Sequence, residues 1–235
     1  MTEKKERIAK KIADAGLCSR REAERWILAG RVQVNGIKLT TPACLVGTED
    51  KIIVDNNPLK NKQKTKVWLY NKPSGLVTTY KDPEGRPTVF DSLPKALGRV
   101  ISVGRLDLNS EGLLILTNDG ALARYMELPS TGLKRTYRVR VHGTITKEVL
   151  SRLSKGIKID GVLYAPCDIT LEKNSGTNTW LIMTLKEGKN REIRRMMKFF
   201  GLEVSRLIRI SYGPYELGDL PKGKVKEVPC VLFPV

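Results

Sequence analysis

Histidine is almost absent from this chain: His142 is its only one. Serine and cysteine triads and histidine-based metal sites would all depend on that side chain. It ends the alternating run Tyr137-Arg138-Val139-Arg140-Val141-His142, where an exposed strand-end position is expected. Cysteine is scarce as well. Cys18, Cys44, Cys167 and Cys230 lie far apart with no CxxC pair, so neither a zinc site nor a disulfide frame is expected. They read as reduced thiols of a cytoplasmic protein. No apolar run approaches the ~20 residues of a membrane span, and the start, MTEKKERIAKKIADAG, lacks the apolar centre of a secretory signal. Neither a GxxxxGK[ST] loop nor a GxGxxG fingerprint occurs, which leaves nucleotide cofactors without an evident cradle. Any catalysis must rest on carboxylate, tyrosine, lysine or arginine.

Positive charge is what the chain has in excess. Lys and Arg number 42 against 25 Asp and Glu, a formal net charge of +17 over 235 residues. That balance predicts a polyanionic partner. Nucleic acid fits better than a membrane surface, because the cations run along the whole chain and do not gather on one anchor helix. The length suffices for one domain or for a small and a larger one.

Residues 101–120, ISVGRLDLNSEGLLILTNDG, place one carboxylate, Asp107, between Leu106 and Leu108, with Arg105 two positions before it. An isolated acid among apolar neighbours is costly unless paired, so such acids concentrate where the charge is used. A loop acid paired with Arg105 is the alternative, and on this segment alone the two readings stand level.

Residues 1–55 read as a small module. Ile8, Ala9 and Ile12 predict a helix over 6–15, which Gly16 ends. Ser19 and Glu22 form a capping box opening a second helix to Ala29, with Ala23, Trp26 and Ile27 inward and Arg20, Arg21, Arg25 and Arg31 toward solvent. Asn35-Gly36 between Val32-Gln33-Val34 and Ile37-Lys38-Leu39 predicts a tight hairpin. This cationic helix and its adjoining turn point to nucleic acid. Residues 56–65, NNPLKNKQKT, read as a linker. From residue 66 to 235 the pattern predicts a larger α+β domain on a mixed, largely antiparallel sheet, with strands near 67–70, 113–117, 136–141, 180–185 and 204–210. Helices are expected at 122–126, 147–153 and 191–200.

The last helix is the most informative. Ile193, Met196, Met197 and Phe200 fall at i, i+3, i+4 and i+7. Arg191, Arg194, Arg195 and Lys198 repeat that spacing two residues out of phase, which at ~100° per residue sets apolar and basic stripes on opposite faces. Glu187-Gly188-Lys189-Asn190 forms a basic entry turn at the positive end of the helix dipole. An ordinary surface helix mixes both signs; this face is almost purely cationic and reads as facing RNA or DNA.

Three ordered segments together resemble the pseudouridine synthases of the ribosomal small- and large-subunit type: GRLDLNSEGLLILTNDG, Lys134-Arg135-Thr136-Tyr137, and Glu187-Gly188-Lys189-Asn190-Arg191-Glu192-Ile193-Arg194-Arg195-Met196. The first 55 residues look like the small RNA-binding module of ribosomal-protein type that many of these enzymes carry. Asp82-Pro83-Glu84-Gly85-Arg86-Pro87-Thr88-Val89-Phe90-Asp91 is most similar to the large-subunit enzyme B branch. Some members continue into a basic C-terminal extension, whereas this sequence ends at Val235.

The resemblance implies isomerisation of a uridine in ribosomal RNA, needing neither cofactor nor metal; a monomer is the default expectation. Asp107 matches the catalytic carboxylate, as nucleophile or base. Tyr137 matches the tyrosine that stacks on the uracil. Arg194 matches the basic residue that pairs with the acid and keeps it ionised. The uridine must be flipped out of its stack to reach Asp107, and Arg105 is suited to fill the vacated space or hold the flipped phosphate. Lys189, Arg191, Arg195 and Lys198, with Arg20, Arg21, Arg25 and Arg31 of the small module, would supply salt-dependent phosphate contacts. A small-subunit synthase and a non-catalytic rRNA-binding or assembly factor are the alternatives. A glycoside hydrolase would need a second carboxylate, for which Glu111 is the nearest candidate.

Overall fold

The computed structural model describes residues 5–231; the first four residues of the amino-terminal segment and residues 232–235 lie outside them. Two compact units divide the chain. The first takes 5–65 with 95–101 and 118–120, and the second takes the remainder.

The first unit contains β1 (Glu6–Arg7), α1 (Ile8–Asp14), α2 (Arg20–Leu28), β2 (Val32–Val34), β3 (Ile37–Lys38), β4 (Leu45–Val46), β5 (Ile52–Val54) and β6 (Asn57–Pro58). Helix α1 starts two residues later than its apolar spacing predicts, because Glu6 and Arg7 pair with Val46 and Leu45 of β4. Ser19 caps α2, its Oγ accepting from the Glu22 amide at 3.1 Å. The Glu22 carboxylate does not complete the capping box and takes Arg25 Nη1 at 2.8 Å. Ala23 and Ile27 are fully buried among Ile8, Ile12, Val32 and Val46, with Trp26 at the margin.

Asn35-Gly36 closes β2 on β3 with φ of 52° and 82°, the positive pair of a type I′ turn. Asp55-Asn56, at 48° and 64°, repeats the device between β5 and β6. Residues 57–58, read as linker, are therefore an outer strand of a four-stranded sheet ordered β3-β2-β5-β6. Asp and Asn tolerate left-handed backbone without glycine, which is why this second turn was less visible.

From residue 66 the elements are β7 (Val67–Lys72), β8 (Ile101–Ser102), β9 (Glu111–Thr117), α3 (Gly120–Glu127), β10 (Arg135–His142), α4 (Lys147–Ser154), β11 (Ile157–Ile159), β12 (Val162–Tyr164), β13 (Asp168–Ser175), β14 (Asn178–Leu185), α5 (Glu192–Phe199), β15 (Glu203–Tyr212), β16 (Tyr215–Glu216) and β17 (Val225–Val228). A nine-stranded sheet follows the order β13-β14-β10-β15-β9-β7-β17, with β16 on β15 and β8 on β9. Neighbours along that path are antiparallel except β15 and β9. All five expected strands and three expected helices lie within this set. Strand β13 was not anticipated: it closes one end of the sheet, and its Glu172-Lys173-Asn174 stretch breaks the apolar pattern. No helix among the described residues is long and apolar enough to cross a membrane.

Helix α5 packs Ile193, Met196 and Met197 against Val139, Val141, Leu181, Met183 and Leu207. Every residue of β9 is buried, so the strand that follows the Asp107 turn runs through the middle of the fold. Its Gly112 has φ +95°, and a Cβ there would stand 2.3 Å from the Arg209 carbonyl oxygen, at the parallel β9–β15 contact. Gly112→Ala should therefore lower the unfolding free energy by about 3 kcal/mol or more. A urea midpoint equal to that of the unsubstituted protein would contradict this tight approach.

Candidate active site

Asp107 sits in the turn that feeds β9, and the turn is fastened from several sides. Gly104, at φ +66°, donates its amide to Glu127 Oε1 at 2.8 Å. Thr78 Oγ1 donates to the Leu106 carbonyl at 2.8 Å, the Gly75 amide reaches the Leu108 carbonyl at 2.8 Å, and the Ser110 amide closes on the Asp107 carbonyl at 3.0 Å.

Beneath the turn lies Lys72, the last residue of β7, with no exposed surface. Its Nζ donates to the carbonyls of Ser110 at 2.9 Å, Pro73 at 3.0 Å, Asp107 at 3.2 Å and Leu108 at 3.4 Å. Burial pulls its pKa down to about 8, against the attraction of Asp107 and Glu111, so it remains mainly an ammonium at neutral pH. Four carbonyls around one ammonium set the path of the turn and put a cation close to Asp107. In the sequence Lys72 looks like a polar end to an apolar strand; its only signal was a lysine before Pro73 with no acid beside it.

A cavity of about 320 Å³ opens against the Asp107 side chain, lined by parts of 77–86, by 105–108 and by Asn190. Asp82 and Asp107 are its two carboxylates. Asp82 is already committed: it accepts from Arg86 Nη2 at 2.8 Å, from Arg86 Nε and amide at 3.0 Å, and from the Glu84 amide at 3.2 Å. The Arg86 guanidinium holds its carboxyl down to about 2. Glu111 is committed too, with Arg206 at 2.7 and 3.1 Å and Lys222 beside it; Arg206 holds its pKa below the ordinary carboxylate value. That removes the second acid a glycoside hydrolase would use.

Asp107 is partly open, its side chain 36% exposed, and its ion-pair partner among the described residues is Arg191 at 3.6 Å. The direct pairing expected of Arg194 is not what the structure shows. Arg194 donates Nη1 to the Val204 carbonyl and Nη2 to the Asn109 carbonyl, both at 2.9 Å. Half-buried, it spends both terminal nitrogens on backbone, its Nε left without a partner among the described residues, and braces the turn two residues beyond Asp107. Burial lowers its pKa, Arg191 acts in the same direction and Asp107 opposes both. The exchange has a backbone cause. Arg191 is not part of α5: it caps the helix at φ 50° and ψ 34°, a left-handed conformation that takes it out of the basic stripe.

Arg105 lines the cavity and is exposed. Tyr137 is not among the lining residues; half-buried, it packs on the cluster that holds Val139 and Met183. Lys189 contacts Glu187, Arg195 Nη2 donates to Asn190 Oδ1 at 3.1 Å, and Lys198 is exposed. In the first unit Arg20, Arg21, Arg25 and Arg31 are exposed, but Arg25 pairs with Glu22 and Arg31 takes both oxygens of Asp55 while lying 4.5 Å from the Trp26 ring centre. Arg20 and Arg21 have no carboxylate partner among the described residues.

Residues 66–199 match the family model described as RNA pseudouridylate synthase, and residues 6–52 match that of the S4 domain. The chain belongs to the RNA pseudouridylate synthase family, isomerases that act on RNA. A Rickettsia bellii protein described as an uncharacterized RNA pseudouridine synthase is 50% identical over 228 residues, covering 97% of this chain and 99% of that one. The ribosomal large subunit pseudouridine synthase B of Pseudomonas aeruginosa is 41% identical over 230 residues, 95% of this chain and 59% of the longer relative. A crystal structure of a pseudouridylate synthase superposes with a TM-score of 0.67 at 26% identity, covering 95% of this chain and 96% of that one.

Lys72→Met should strand several buried carbonyls and cost about 2–4 kcal/mol of stability. Amide hydrogen exchange should localise the loosening to residues 104–110, and unchanged protection there would refute the role of the buried ammonium.

Proposed function

We propose that this chain converts a uridine of large-subunit ribosomal RNA to pseudouridine, with Asp107 as the reacting carboxylate. One observation carries the reading. Of the two carboxylates at the cavity, Asp82 is fastened by Arg86, while Asp107 is partly open and held by a single long ion pair. The large-subunit assignment draws on relatives such as the Pseudomonas aeruginosa enzyme.

The reaction cleaves the bond between uracil N1 and ribose C1′, turns the base, and joins C5 to C1′; C5 loses its proton and N1 ends protonated. Asp107 initiates it, as a nucleophile toward the ribose or as the base that starts the sugar chemistry. Arg191 lies beside it and Lys72 beneath the turn. Arg194 positions it through the Asn109 carbonyl.

A stacked uridine must first be everted, at a cost of a few kcal/mol. Arg105, exposed at the cavity edge, takes the vacated space or the displaced phosphate. Tyr137, half-buried on a firm apolar bed, is the proposed stacking surface for the base. Lys189, Arg195 and Lys198, with Arg20, Arg21, Arg25 and Arg31, add phosphate contacts whose strength falls with salt. RNA of this kind is read mainly by shape and by splayed bases.

Transcripts of either ribosomal RNA, tritiated at uracil C5, test the reading. Release from the large-subunit transcript is expected, with none from Asp107→Asn although that variant binds the RNA within about twofold of the original. Wild-type release by Asp107→Asn would remove Asp107 from the chemistry, and release from the small-subunit transcript alone would reassign the substrate.

A further inference from the structure

Glu192 is a buried acid with no part in the proposed chemistry of Asp107. It opens α5 directly after Arg191 and is only 5% exposed. Its Oε2 accepts the Lys189 amide at 2.9 Å. Its Oε1 is buried and receives no donor. Lys189 joins it to a second carboxylate, Glu187: the Lys189 amide goes to Glu192, and the Glu187 oxygens accept the Lys189 ammonium and, at 2.8 Å, the Ala165 amide. Two facing carboxylates would repel and leave that buried oxygen unsatisfied. A single proton between them removes both penalties.

We infer that Glu192 is held as a neutral carboxylic acid donating to Glu187, and that this acid pair ties the 187–192 turn so that Arg191 is presented to Asp107. Glu192 is thus a positioning residue, and the inference rests on the roles given to Asp107 and Arg191. The turn is a strained one to hold: Arg191 keeps its left-handed backbone without a side-chain cap, and both ends of the turn are gripped by these acids. The charged or titratable groups facing Glu192 are Glu187, Lys189 and Cys167.

Titration follows from the arrangement. Burial, then the neighbouring Glu187, push Glu192 up to about 7. Glu187 is raised by burial, but the Ala165 amide and the other donors more than offset this and leave it below its ordinary value. As an acid whose folded pKa exceeds its unfolded value, Glu192 costs stability progressively as pH rises from 4.5 toward 7, and the cost is complete above that. The proton is lost near neutrality and the turn then loosens.

Glu192→Gln keeps the donor without the proton and is the decisive variant. Single-turnover tritium release by the unsubstituted protein should fall about fivefold from pH 7 to 8, while Glu192→Gln stays within about twofold and Glu192→Ala is impaired at both. An alkaline fall that persists in Glu192→Gln, or a Gln variant as poor as Ala at pH 6.5, overturns the inference. An infrared carbonyl band of a protonated carboxyl at pH 6, lost in Glu192→Gln, reads the pair without catalysis; its absence from the unsubstituted protein also overturns it. That band stays readable if the protein releases no tritium, which would instead count against the proposed reaction.

Discussion

The site depends on one buried cation gathering backbone carbonyls. Lys72 comes from the end of β7, and the oxygens it holds belong to Pro73, Asp107, Leu108 and Ser110. Without it the carbonyls of Pro73 and Ser110 would lose their donor, and those of Asp107 and Leu108 would keep only the Ser110 and Gly75 amides. With it, the backbone of Asp107 is joined to the buried middle of the sheet. The Thr78, Glu127 and Arg194 contacts then brace the same turn from separate segments.

The acids around this turn are controlled in different ways. Asp82 is matched by Arg86, Glu111 is shared by Arg206 and Lys222, and Glu192 is neutralised by a proton it holds with Glu187. Each is thereby withdrawn from chemistry and made into a fastener. Asp107 is treated otherwise: its guanidinium partner is at 3.6 Å and its side chain is partly exposed at a cavity. Environment, and not residue type, separates the proposed reagent from the scaffold.

How much of this was legible in the sequence depends on what each feature is made of. Elements written in side-chain periodicity were readable, from the Asn35-Gly36 hairpin to the apolar stripe of α5. Asp107 was readable because an acid between two leucines is anomalous by itself. The partner of Asp107 was not. Helical spacing puts Arg191 in line with Arg194, and only the left-handed backbone at Arg191 breaks that line. Lys72 and Glu192 were invisible for a related reason: in a +17 chain a lysine or glutamate looks solvated, and burial is decided by strands and loops distant in sequence. Strand β13 hid behind its polar outer positions, and β6 behind a turn that lacks glycine.

The pairing of β17 with β7 carries a consequence for biosynthesis. The opening strand of the second unit finds its neighbour at one edge only in residues 225–228, which leave the ribosome last among the described strands. Until then β7 exposes a row of unsatisfied amides and carbonyls next to the segment that carries Lys72. A nascent chain stalled before residue 225 would therefore present a sticky edge open to intermolecular strand addition, making this junction the point where chaperone protection matters most.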